Sequence, residues 1–87
     1  MKKKFMATIN EAIDNGSEIE ITIGCEGKSH VELTIIPEYV VTNGNMMTIY
    51  YNTEQMSFLI DKIVYDEVEE GFCIYDNGLC LFFFVAV

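Results

Sequence analysis

Residues 18–36 read Glu18-Ile19-Glu20-Ile21-Thr22-Ile23-Gly24-Cys25-Glu26-Gly27-Lys28-Ser29-His30-Val31-Glu32-Leu33-Thr34-Ile35-Ile36. From Ile19 to Ile23 every second residue is isoleucine, and Val31, Leu33 and Ile35 resume the alternation. Successive side chains on a strand point to opposite faces. The segment therefore predicts two half-buried strands, each with an apolar face and a wet, acidic one. Glu26-Gly27-Lys28 supplies a turn, so residues 18–36 read as an antiparallel hairpin. Pro37, which has no N–H for a ladder, ends it or marks a sheet edge.

Upstream the period changes. Phe5, Ile9 and Ile13 recur at i, i+4 and i+8, with Met6 and Ala12 beside them, which is the apolar stripe of a helix. Asn15-Gly16 provides its stop, because glycine accepts the left-handed cap conformation. At the other, N-terminal end, Lys2, Lys3 and Lys4 oppose the helix dipole and predict a frayed start. Downstream, Glu38 to Thr42 and Met46 to Tyr51 flank Asn43-Gly44, a strong hairpin signal. Asn52 with Gln55 resembles a capping box, and Met56, Leu59, Ile60 and Ile63 follow at helical spacing. A short helix over 53–60 is expected. Strands over 62–68, 72–75 and 79–86 complete a meander, with turns at Glu69-Glu70-Gly71 and Asp76-Asn77-Gly78. Leu81-Phe82-Phe83-Phe84-Val85 has no polar face and predicts a central strand covered on both sides, by the helix on one and by a second copy on the other. Left open, it would be an aggregation hazard. The expected fold is α+β, a single domain over 1–87. An N-terminal helix packs on a bent antiparallel sheet of five to seven strands, with closure toward a small barrel as an open alternative.

The balance of charge restricts function. Fourteen Asp and Glu stand against five Lys and no Arg, a net charge of −9 over 87 residues. Direct binding to nucleic acid or to an anionic membrane requires a basic patch, and both are disfavoured. No run approaches the ~20 apolar residues of a membrane span, and the Lys2–Lys4 end is followed by no long apolar stretch, so a cytoplasmic protein is expected. Three cysteines, an odd number, argue against a closed disulfide framework.

Catalytic signatures are missing. The sequence has no Gly-x-Gly-x-x-Gly, phosphate loop or Gly-x-Ser-x-Gly elbow, and with no arginine it has no bidentate clamp. A non-enzymatic role without a cofactor is expected. The sharper alternative is zinc held by Cys25, His30, Cys73 and Cys80, which flank two hairpin turns, although the usual Cys-x2-Cys pair is absent. Turn length decides part of this. A two-residue Asn77-Gly78 turn sets Tyr75 opposite Cys80 with Cys73 on the same face; a three-residue loop puts the two cysteines on opposite faces.

The acids carry the functional reading. Asp66, Glu67, Glu69, Glu70 and Asp76 place five carboxylates within eleven residues. Glu18, Glu20 and Glu32 form a second group on the wet face of the first hairpin. Tyr65 and Tyr75 each precede an acid of the first group, and Tyr50 and Tyr51 add aromatic area suited to contacts. Such a surface either keeps an apolar chain soluble or docks into a basic groove, with steering that weakens in salt. Basic grooves mostly hold nucleic acid, so the expected partner is a basic nucleic-acid-binding protein. In size, acidity and its Asp66-Glu67 and Glu69-Glu70 runs, the chain resembles the small inhibitors of phages and mobile elements, of which anti-CRISPR proteins are the best-known group. That resemblance implies an acidic decoy that blocks a CRISPR effector nuclease inside a bacterial cell, and it assigns no residue. A structural or homodimerisation module is the remaining alternative, with the apolar C-terminal strand at the interface.

Overall fold

Phe5, Ile9 and Ala12 lie on one face of a helix, and burying that face needs an apolar partner surface. In the computed structural model, which describes residues 2–25, 30–68, 70–76 and 79–85 (backbone only at Cys25, His30, Asp76, Leu79, Phe84 and Val85), the partner is a pair of antiparallel sheets. The helix α1 (Lys2–Asn15) is followed by β1 (Ile19–Cys25), β2 (His30–Ile35), β3 (Tyr39–Asn43), β4 (Met46–Tyr51), β5 (Glu54–Leu59), β6 (Val64–Asp66), β7 (Gly71–Asp76) and β8 (Leu79–Val85). One sheet has five strands in the order β2-β1-β8-β7-β6; the other has three, β3-β4-β5. The fold is α+β as expected, and the described strands form two open sheets rather than a closed barrel.

The helix ends where the sequence indicates. Gly16, at φ +64°, and Ser17 donate backbone hydrogen bonds to Ile13 and Ala12, at 3.2 and 2.8 Å. This pairing is the glycine-ended Schellman cap. The lysine end differs from expectation: the helix already includes Lys2, Lys3 and Lys4. Two of them have partners, since Lys2 donates to Asn45 Oδ1 at 3.1 Å and Lys4 Nζ sits 4.1 Å from the Tyr65 ring centroid. These contacts offset the unfavourable dipole position.

The core lies where α1 meets the inner faces of both sheets. Phe5 makes edge-on contacts with Phe58 of the three-stranded sheet, at 6.1 Å, and with Phe72 and Phe83 of the five-stranded sheet, at 5.1 and 5.3 Å. Phe58 and Phe83 also touch, at 4.9 Å. Ile19, Ile21, Met47, Ile49 and Ile60 are fully buried around them. Burial of each such side chain contributes about 1.5–3 kcal/mol.

The register shows which residues face outward. Ile19, Ile21 and Ile23 pair with Val85, Phe83 and Leu81 on one side and with Ile35, Leu33 and Val31 on the other. Glu20, Thr22, Glu32, Thr34, Phe82 and Tyr75 therefore occupy the opposite face. On the three-stranded sheet the outward rows are Tyr39–Tyr50–Gln55, Val41–Thr48–Ser57 and Asn43–Met46–Leu59.

Three local expectations are corrected. Residues 54–59 form a strand rather than part of a helix, because Asn52 and Thr53 both adopt positive φ, 46° and 64°. That is the backbone of a tight two-residue hairpin turn. It returns the chain along β4, so Met56 and Phe58 turn inward at a period of two. The β3–β4 turn is Gly44-Asn45 rather than Asn43-Gly44, with Gly44 at φ +62° and Asn43 paired to Met46. The strand expected over 62–68 is only Val64–Asp66, and the loop to β7 is 67–70 with Gly71 inside the strand. As expected, β8 is the central strand of its sheet, with the core on its Phe83 side and its other face turned away from that core. There Phe82 is half-buried over Gly71, so close that a methyl group on the Gly71 Cα would collide with the ring. The first hairpin turn at 26–28 lies outside the described residues.

Candidate functional site

The first acidic group does not form one patch. Asp66 ends β6 and accepts a hydrogen bond from the Val68 backbone N–H at 3.0 Å, an Asx turn that starts the 67–70 loop. Glu67 and Glu70 are exposed on that loop, and Glu70 has φ +57°. Asp76 ends β7 at the other end of the strand, five residues from Gly71. At about 3.4 Å per residue, this puts its backbone ~17 Å away. The acids gather in sequence because a loop and a strand follow each other; the strand then separates them. Glu69 and the side chain of Asp76 lie outside the described residues. Glu70 also shares a surface depression with Lys4, Thr8 and Tyr65, so this loop faces a lysine.

Tyr65 is half-buried. It faces inward beside Phe72, with ring centroids 5.2 Å apart, under Lys4. Tyr75 is outward and 59% exposed. The Asp76–Leu79 and Tyr75–Cys80 pairings leave a two-residue turn, so Cys73, Tyr75 and Cys80 share the outer face. The Tyr75 phenol is pushed up from 10.0 to about 12, first by its hydrogen bond to Cys73 and then by the charges of Cys73 and Cys80 as they ionise.

Of the four zinc candidates, Cys73 and Cys80 are the two whose side chains are described. Cys73 is buried and Cys80 half-buried, and neither is in a disulfide. Cys25 pairs with Leu79, one residue out of phase with Cys80, while His30 and Cys80 both pair with Gly24. The side chains of Cys25 and His30 lie outside the described residues. Among the described residues no group of three or more His, Cys, Asp or Glu side chains could hold a metal ion.

The second acidic group does share a surface. Glu20 pairs with Thr34 and Glu32 with Thr22, so the two glutamates sit diagonally on the outer face of β1 and β2. Residues in this relation are about 7–8 Å apart. Glu18, exposed just before β1, continues the same alternation. A shallow depression runs between them, lined by Glu20, Thr22, Glu32 and Thr34. Beside this acidic strip, the same face carries Phe82, Tyr75 and Val64, the last 49% exposed. An acidic strip next to apolar and aromatic groups is suited to protein contact.

A further cleft involves residues outside both groups. Glu38, Tyr39, Tyr50, Tyr51 and Glu54 line it at the end of the three-stranded sheet. Tyr39 and Tyr50 stack at 4.5 Å and 11°. Glu38 is positioned by two bonds: its N–H donates to Tyr50 O at 2.8 Å, and its Oε1 accepts from the Asn52 N–H at 2.7 Å. The readable signal is the Tyr50-Tyr51 pair; Glu54 joins it only through the turn at Asn52-Thr53, which the helical spacing conceals.

No helix among the described residues is long and apolar enough to cross a membrane. Compared with known protein families, with curated proteins and with solved structures, the chain matches none.

Proposed function

We propose that the chain is a non-enzymatic inhibitor whose acidic face docks on a basic nucleic-acid-binding protein, most concretely a CRISPR effector nuclease, in place of the nucleic acid. The observation that supports this is the joint placement of Glu18, Glu20 and Glu32 on one open sheet face beside Tyr75 and Phe82. Carboxylates would steer the encounter, and the aromatic groups would supply the desolvated centre. The 67–70 loop is a secondary contact, because Lys4 lies near Glu70.

The test is capture of nucleic-acid enzymes, CRISPR effectors included, by the tagged chain at low and high salt. One basic protein should be retained at low salt, released as salt rises, and displaced by its own DNA or RNA. The triple variant Glu18→Lys, Glu20→Lys, Glu32→Lys should lose capture while keeping its fold. Capture that survives this variant would refute the assignment of the face, and no capture at low salt would refute the function.

A further inference from the structure

The turn at Asn52-Thr53 gathers three tyrosines and two glutamates at one end of the three-stranded sheet. Tyr39 and Tyr50 are cross-strand partners, and Gln55 completes their row. Tyr51 pairs with Glu54 in the alternate row, and Glu38, the residue before Tyr39, is tied to the same strand through Tyr50 O. All six line one cleft of about 340 Å³. Ligand sites span roughly 300–1,000 Å³, so this one suits a single side chain rather than a folded surface. The Tyr39 and Tyr50 rings stack at 4.5 Å and 11°, which occupies one face of each. Tyr39 stands on the edge strand β3 and is 54% exposed, so its other ring face is open. Ring faces carry the negative lobe of the aromatic quadrupole. Glu38 and Glu54 are exposed, and the Asn52 N–H fixes the Glu38 carboxylate through Oε1.

We infer that this cleft binds the guanidinium of an arginine side chain carried by a partner peptide segment. Charge selects a cation. Aromatic faces and two carboxylates are all electron-rich, and among the described residues no lysine lines the cleft. Lys2 is engaged at Asn45, in the turn at the opposite end of β3 and β4, and Lys4 lies on Tyr65. Shape selects guanidinium over ammonium. A guanidinium is planar and weakly hydrated, so it stacks flat on an open ring while its edge N–H groups reach carboxylates; an ammonium is a compact, strongly hydrated charge. The Gln55 side-chain carbonyl is a further acceptor in the same cleft. The chain has no arginine of its own, so the group comes from another molecule. Free arginine brings an α-carboxylate, which Glu38, Glu54 and a net charge of −9 repel; within a peptide that charge is gone. The cleft is separate from Glu20 and Glu32 on the five-stranded sheet, and it does not rest on the inhibitor reading.

The test is an NMR titration of the isotope-labelled full chain with a capped tripeptide, arginine between two alanines, at low ionic strength. One stacked and hydrogen-bonded guanidinium should give a dissociation constant on the order of 1–10 mM. Amide shifts should centre on residues 38–39 and 50–55. The citrulline peptide, which keeps the shape and lacks the charge, should bind about tenfold more weakly, and the lysine peptide about threefold. Free arginine should also bind more weakly than the capped peptide. Glu54→Gln, at an exposed position, and Tyr39→Leu, which removes the open ring and keeps an apolar side chain, should each weaken binding about fivefold. Glu20→Gln, on the other sheet, should leave it unchanged. Citrulline, lysine or free arginine binding as tightly as the arginine peptide would overturn the inference. So would binding that is unmoved in both folded cleft variants, and so would shifts that are absent or centred elsewhere.

Discussion

Gly71 and Phe82 set the tightest constraint on a single residue. A methyl at position 71 would strike the Phe82 ring and lie 2.6 Å from the Phe83 carbonyl oxygen. The ring can rotate away, but the backbone oxygen cannot. Gly71→Ala should therefore cost about 1–3 kcal/mol, read as a lower urea midpoint at an unchanged slope. An aromatic ring laid over a strand glycine also explains how Phe82 is half-buried on an open face. Tyr75 gives a second residue-level expectation. Its phenol is raised above 10.0, so the folded state holds its proton more tightly than the unfolded chain does. The stabilisation is complete below about pH 10 and is lost as pH rises toward about 12. Cys73→Ala with Cys80→Ala should return the Tyr75 titration toward 10, followed by the shift of its ring resonances with pH.

The turn at Asn52-Thr53 decides the element that follows it. Thr53 is β-branched, yet it holds φ +64°. A non-glycine residue in that region costs on the order of 1–3 kcal/mol. Thr53→Gly should relieve part of this and raise stability by about 0.5–1 kcal/mol after its own entropic cost, visible as a higher melting temperature. The same turn shows why the sequence misleads at this element. Met56, Leu59, Ile60 and Ile63 fit helical spacing, while Met56, Phe58 and Ile60 fit a strand equally well. Asn52-Thr53 lacks the glycine that would mark a hairpin. The Glu38 carboxylate that holds this turn comes from fourteen residues upstream, and no local window includes it. By contrast, α1, the β1–β2 hairpin and the β7–β8 pairing are legible, because their periodicity and their glycine or short turns are all local. The site is legible in part. Glu18, Glu20 and Glu32 fall on one face by alternation alone, whereas Asp66 to Asp76 resemble a cluster only until a strand separates their ends.

Across the whole molecule, the excess of acid sets the response to salt: capture of a basic partner by the acidic face should weaken as salt rises, read by a salt series on one preparation. The strand order has a further consequence, in the timing of folding. β1 lies between β2 and β8, and its pairing partners in β8 are about sixty residues away. Phe5 likewise packs on Phe72 and Phe83. The three-stranded sheet and the β1–β2 hairpin can each form from neighbouring segments, but the five-stranded sheet and the bed of α1 require β8. Closing so long a loop precedes any gain from the contacts it brings, which slows assembly. Until β8 arrives, the isoleucines of β1 have no second neighbour and the helix has no floor, so a growing chain carries its apolar stripe exposed for most of its synthesis.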